Sequence, residues 1–120
     1  MADIKTYKGS CHCGKVAYNV QADLSGELIT CNCSMCSRNG AVLTFVPATS
    51  FTLERGEDAL TDYQFGKKTI HHVFCSTCGI RPFARGSMPD GTAMCAINAR
   101  CLEGVDATKL KTKQWDGASL

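Results

Sequence analysis

Nine cysteines stand in this chain of 120 residues, and seven of them fall into short-spaced groups. Cys11-His12-Cys13-Gly14 is answered far downstream by Cys75-Ser76-Thr77-Cys78-Gly79. Zinc takes four soft ligands at the corners of a tetrahedron, and two short-spaced pairs supply two each. In the Cys-X-X-Cys-Gly segment the glycine permits the left-handed backbone that lets amides point at the sulfurs. Cys11, Cys13, Cys75 and Cys78 are therefore expected to form a closed, structural zinc site. Such a site ties the start of the chain to its middle, and metal binding then contributes folding energy directly. Disulfide pairing is the competing reading. It is disfavoured where thiols stay reduced.

The remaining group, Cys31-Asn32-Cys33-Ser34-Met35-Cys36, places three thiols within six residues, and no cysteine or histidine follows until His71. Three local ligands with no obvious fourth is the pattern of a catalytic zinc, which keeps one corner for water or substrate. Alternatives stay open. Cys95, Cys101, His12, His71 or His72 can fold back and close the site, and cysteine-rich knots also suit iron–sulfur clusters. The division into a set of four and a set of three favours zinc, two ions per chain.

Several cations stand near these groups. Arg38 lies just past Cys36, and Arg81 and Arg85 lie just past Cys78. If the knuckles meet in space, these guanidiniums rim one cleft and grip carboxylates in bidentate fashion. Taken singly, each also reads as a solvated surface arginine. His71 and His72 precede Cys75 on an expected strand, so their side chains should point to opposite faces. One should be packed and hydrogen-bonded, and the other, with His72 the candidate, can carry a proton. Cys95 sits in an apolar stretch and reads as a buried thiol. Cys101 follows Asn98-Ala99-Arg100 in an expected loop and reads as a redox-active spare or a surface thiol.

The elements that must position these residues are mainly β. Val16, Tyr18 and Val20 alternate with Ala17 and Asn19, the period of a half-buried strand. Ala41 to Val46 is a short apolar run ending at Pro47. Phe51 and Leu53 alternate with polar neighbours before Gly56. Leu60 to Phe65 and Thr69 to Phe74 flank Gly66-Lys67-Lys68, which reads as a hairpin. Ala93 to Asn98 and Leu110 to Trp115 are further strands. Short turns are expected after Cys33 and over Pro47 to Ser50, and Asp106 can cap a brief helix through Lys109. The expected architecture is a single domain, 1–120, of short antiparallel strands with glycine-rich turns.

Composition narrows the function. Hydrophobic residues make up 44% and charged residues 20%, with a net charge of +2. That balance lacks the basic stripe of a nucleic-acid binder. No apolar run is long enough to cross a bilayer. Met1 to Lys8 has no apolar secretion signal, so a cytoplasmic location is expected. Exposed strand edges on a small β domain make a homodimer an open expectation.

Taken together, Gly9-Ser10-Cys11-His12-Cys13-Gly14, Cys31-Asn32-Cys33-Ser34-Met35-Cys36 and His72-Val73-Phe74-Cys75-Ser76-Thr77-Cys78-Gly79 strongly resemble the glutathione-dependent formaldehyde-activating enzyme family. Centromere protein V shares the same domain. The resemblance runs from about Lys8 to Asp106, and Asn98-Ala99-Arg100-Cys101-Leu102 is similar to the family's closing segment. It implies a β-rich fold of the Mss4-like kind. It implies structural zinc ligands at Cys11, Cys13, Cys75 and Cys78, and catalytic ones at Cys31, Cys33 and Cys36. The implied activity joins glutathione and formaldehyde to give S-(hydroxymethyl)glutathione, classed as a carbon–sulfur lyase for the reverse direction. In that setting a thiol, whose pKa is about 8.5 when free, is deprotonated on binding the metal. It then attacks the carbon of an aldehyde. His72 or water supplies a proton to the new alkoxide, and Arg38, Arg81 or Arg85 holds the carboxylates. A non-catalytic zinc module that binds a protein is the rival expectation. It would show both metals closed and a large exposed apolar patch.

Overall fold

Alternating burial decides where the strands form. Along Ala17–Asp23, Tyr18, Val20 and Ala22 are buried, while Asn19 and Gln21 face outward to different degrees. The structure, a computed structural model, describes residues 4–65 and 68–119. Among these, ten strands occur in the order β1 (Ile4–Ser10), β2 (Ala17–Asp23), β3 (Leu28–Cys31), β4 (Leu43–Pro47), β5 (Phe51–Arg55), β6 (Leu60–Tyr63), β7 (His72–Cys75), β8 (Phe83–Ser87), β9 (Ala93–Asn98) and β10 (Thr112–Trp115). One short helix, α1 (Cys36–Asn39), lies between β3 and β4. No helix among the described residues is long and apolar enough to cross a membrane.

The strands form three sheets. β1, β2 and β5 make one, β10, β3, β4, β9 and β8 a second, and β6 and β7 a two-stranded third. Every pairing is antiparallel except β10 with β3, which is parallel. The β6–β7 pair carries the expected hairpin, with Tyr63 opposite His72 and Leu60 opposite Cys75. Its strands are shorter than the apolar runs, and Gly66 and Lys67 of the expected turn lie outside the described residues. Isolated bridges tie the sheets together. His71 and Arg85 exchange backbone hydrogen bonds of 2.7 and 3.0 Å, and Gly9 bridges Leu102.

The core gathers between the first two sheets. Tyr18, Phe83, Ile97 and Val16 are essentially inaccessible to solvent. The rings of Tyr18, Phe51 and Phe83 meet pairwise at centroid distances of 4.6–5.6 Å. The Tyr18 hydroxyl is not wasted in this apolar setting, for it donates to the Pro82 carbonyl at 3.1 Å. The ring also passes so close to Gly9 that any side chain there would collide with it. The glycine at position 9 is therefore required for close approach rather than for its dihedral freedom.

Seven strands lie where the alternation and apolar runs place them. β1, β3 and β8 do not show in the pattern. β1 is exposed over most of its length, β3 has only four residues, and β8 carries a glycine, Gly86, within it. The expected short turns are present at Ala48–Ser50 and Ala107–Lys109, and the Asp106 carboxylate accepts from the Thr108 amide at 3.1 Å.

Replacing Tyr18 with Phe keeps the ring packing and removes one of two hydrogen bonds to the buried Pro82 carbonyl, the other coming from the Asn98 amide at 3.1 Å. The expected cost is about 1 kcal/mol, read as a lower midpoint in chemical denaturation with an unchanged slope. A variant as stable as the parent would show that the hydroxyl contributes nothing.

Candidate functional site

Backbone direction at the strand ends brings the first four cysteines together. Cys11 follows β1 directly and Cys75 is the last residue of β7, so both sit at the rim of the core. Cys11, Cys13, Cys75 and Cys78 place their sulfurs all within 4.8 Å of one another. Cys13 lies 3.6 Å from Cys11 and 3.6 Å from Cys75. Gly14 and Gly79 close the two knuckles at φ of 84° and 79°, the left-handed region that favours glycine. Cys11 and Cys75 are buried members of the hydrophobic core, and Cys78 packs against it. The Val16 amide donates to the Cys11 sulfur at 3.4 Å. Amides of Cys13 and Ile80, aimed at Cys78, hold its thiol well below the ordinary thiol range, at about 6.

Cys31, Cys33 and Cys36 form the second cluster, their sulfurs again within 4.8 Å of one another. Cys31 ends β3, and the turn into α1 swings the other two round to meet it. The Cys33 amide donates to the Cys31 sulfur at 3.5 Å, and the Cys36 amide to the Cys33 sulfur at 3.3 Å. Gly40, at φ 70°, ends α1 and turns the chain toward β4. At Cys33 burial acts to raise the pKa, but hydrogen bonds from the Cys36 amide and the neighbouring thiols outweigh it, and the value falls. Burial, with the Cys33 and Cys31 sulfurs alongside, pushes Cys36 up to about 12. Among the described residues no fourth cysteine, histidine or carboxylate joins this trio.

The trio opens onto a cleft of about 550 Å³, which His72 and Arg81 also line. Its remaining walls are largely apolar and include Leu43, Phe45, Phe65, Phe83 and Trp115. His72 stacks on Phe65 at 5.1 Å. Burial, then the Arg81 charge, lowers its pKa, so the ring is neutral near pH 7. His71, on the opposite face, is bound instead to Asp62 at 2.6 Å. The two histidines thus divide as their strand position requires.

The three arginines do not share a rim. Arg81 alone lines the cleft. Its Nη1 is buried with no hydrogen-bond partner among the described residues, and burial lowers its pKa against the opposing pull of Cys36. Arg38 turns back on its own segment and donates to the Ser34 carbonyl at 2.7 Å. Arg85 pairs with Glu57 at 3.2 Å and lies over the Phe83 ring. A second hollow, of about 810 Å³, adjoins the cleft through the shared residues Asn39, Arg81 and Asn98. It is also lined by His12, Arg100 and Cys101. Arg100 lies further along the chain from the cysteine knuckles than the expected cations, within the Asn98-Ala99-Arg100-Cys101-Leu102 segment. Asn98 holds the segment in place, accepting from the Arg100 amide at 3.1 Å and donating to the Arg81 carbonyl at 3.1 Å. Cys95 is buried on β9, and neither it nor Cys101 belongs to either cluster.

The C-terminal segment is the part that motif spacing did not show. Parallel pairing of β10 with β3 sets Trp115 opposite Cys31. Gly117 then passes so near that a Cβ there would come within 2.6 Å of the Cys31 sulfur. Asn32, between two of the cysteines, secures this segment. Its side chain donates to Asp116 and accepts from the Ala118 amide, both at 2.9 Å, and its amide donates to the Trp115 carbonyl at 3.2 Å.

A family model described as glutathione-dependent formaldehyde-activating enzyme matches residues 6–117. The chain belongs to that family. A crystal structure of a Rhodobacter sphaeroides protein is similar, with 33% sequence identity and a TM-score of 0.77. The likeness covers 88% of this chain and 99% of that one. This family member has two cysteine clusters with the donor set of a metal site, one of four thiols anchored in the core and one of three facing a cleft. Both fit a thiophilic ion. Sulfurs this close repel one another as thiolates, and a cation among them removes that repulsion.

Replacing Asn32 with Ala removes two side-chain hydrogen bonds from the C-terminal segment and should release it from the cleft. The expected outcome is faster amide hydrogen exchange over residues 114–118, with the global unfolding midpoint little changed. Unaltered exchange there would show that the segment is held by other contacts.

Proposed function

We propose that the chain is a zinc-dependent enzyme of the carbon–sulfur lyase type, holding two zinc ions and acting on the glutathione adduct of formaldehyde or another aldehyde. One observation carries this reading. The four-sulfur cluster is anchored by Cys11 and Cys75 in the hydrophobic core and brings four thiols together, whereas the three-sulfur cluster has no fourth such group among the described residues and faces a cleft. A closed set of four suits a structural ion, and a set of three beside a cavity suits an ion that receives a substrate. Zinc bound by Cys31, Cys33 and Cys36 would lower the pKa of a visiting thiol and hold it as a nucleophile.

The chain's own residues supply the rest. Arg81 stands where the cleft meets the polar hollow, and its unpartnered Nη1 offers a carboxylate of the tripeptide a charge-assisted hydrogen bond. Arg100, whose Nε is taken by the Gly40 carbonyl at 3.1 Å, brings a second cation to the same hollow. The tripeptide then lies in the hollow with its sulfur reaching the trio. His72, neutral and stacked on Phe65, carries the proton between the thiol and the oxygen of the adduct. None of the nine cysteines forms a disulfide, as a reducing cytoplasmic setting would have it.

Metal analysis of cysteine variants tests the division of labour. The parent should hold two zinc ions. Cys33→Ser should keep one, retain its circular dichroism spectrum, and lose turnover of the glutathione–formaldehyde adduct. Cys75→Ser should fail to fold, because it removes a ligand that is also core. A Cys33→Ser protein that unfolds would make the trio structural and defeat the proposal. For His72→Asn the expected loss is in kcat, with two zinc ions retained. In the parent the same rate should fall as pH drops below the depressed His72 pKa, because protonation removes the base.

A further inference from the structure

Formaldehyde has one carbon, and the cleft above Cys31, Cys33 and Cys36 has room for far more. Its volume of about 550 Å³ lies within the ordinary range for organic ligands. Beyond the sulfurs, His72, Arg81 and two asparagines, the lining is apolar. Glutathione does not account for these walls. The tripeptide is polar and doubly carboxylated, and the guanidiniums that suit it border the neighbouring hollow. Around the mouth, Phe45, Phe65, Ile70 and Trp115 stay exposed. Clustered exposure of large apolar groups marks a binding surface. The apolar track does not stop there. Phe45, Ile70, Ala84 and Ala96 also border a further hollow of about 330 Å³, where Met88 and Met94 continue the lining. A path of greasy side chains thus leads from the sulfur trio outward.

Resting on the reading above, we propose that the carbonyl substrate of this chain is an aldehyde with an apolar tail of several carbons, and that Phe45, Ile70 and Trp115 select for it. The sulfur of glutathione, from the polar hollow, and the aldehyde carbon, from the apolar cleft, meet at the trio. One carbon–sulfur bond forms with the sulfur's electron pair. The carbonyl π pair moves to oxygen, and the proton lost by the thiol ends there. Thiol and aldehyde give the hydroxyalkyl thioether with no atom or electron left over, and the reverse step releases both.

The test uses the zinc-loaded full chain with glutathione and either formaldehyde or hexanal. Exchange NMR gives the rate of interconversion between free aldehyde and adduct, relative to the uncatalysed rate. The expected acceleration is at least tenfold greater for hexanal. Each buried methylene is worth about fourfold (about 0.8 kcal/mol). Phe45→Ser should lower the hexanal-to-formaldehyde ratio by about fourfold or more. Phe45 is 53% exposed, so the variant should fold. A second readout needs no turnover. Trp115 is the single tryptophan, and its fluorescence should respond saturably to 1-hexanol at concentrations where methanol has no effect. Acceleration with formaldehyde but not hexanal, or a Phe45→Ser ratio unchanged from the parent, overturns this inference and leaves the lyase reading standing. So does a cleft face covered by a second copy of the chain, seen as a dimer in which Trp115 does not respond to hexanol. Acceleration with neither aldehyde overturns the lyase reading, and this inference with it.

Discussion

Four sulfurs drawn to within 4.8 Å of one another, two of them inside the hydrophobic core, are the constraint on which the rest of the structure depends. As thiolates they would repel strongly in a low dielectric. As thiols they gain little from being together. A bound cation removes the conflict and makes the contact between β1 and β7 favourable. That contact joins residues separated by more than sixty positions, so its closure entropy must be met from somewhere. In a chain of 120 residues the apolar core alone is modest, and metal binding is folding energy in such a site.

The second cluster obeys the same donor chemistry under opposite packing. Cys31 ends a four-residue strand, Cys36 opens a four-residue helix and Cys33 lies in the turn between them, all outside the buried core. Local amides orient Cys31 and Cys33 without help from distant parts of the chain. What the distant parts contribute is the surroundings. β8 and β9 bring apolar walls, β7 brings His72, and the parallel β10 lays Trp115 and Gly117 beside Cys31. In a metal site, such a surrounding shell decides solvent access and which partner can approach.

Polar and apolar recognition are separated by a few shared residues. Asn39, Arg81 and Asn98 border both hollows. Asn98 is buried and uses its amide on both sides, tying Arg81 to the turn that carries Arg100. Arg81 is held with one nitrogen unpartnered, an arrangement that costs energy unless an anion answers it. The divide places guanidinium charge at one hollow and apolar surface at the other.

The amino-acid sequence by itself determined the two cysteine clusters and most of the strands. Short spacings such as Cys31-Asn32-Cys33-Ser34-Met35-Cys36 fix ligands locally, so the clusters can be read without knowing the fold. Strands with one buried face, such as β2, announce themselves by alternation. Exposed, short or glycine-containing strands such as β1, β3 and β8 carry no such signal. Their place comes from neighbours that supply hydrogen bonds. Only the tertiary structure decided which cations face the cleft. Arg38 stands nearer the cysteines in sequence than Arg81 does, and Arg85 a few residues further, yet a carbonyl and Glu57 take them. It also decided that Arg100 and Trp115 stand at the site. Side-chain direction across sheets depends on register and crossing strands, and neither is written in the spacing of any one segment.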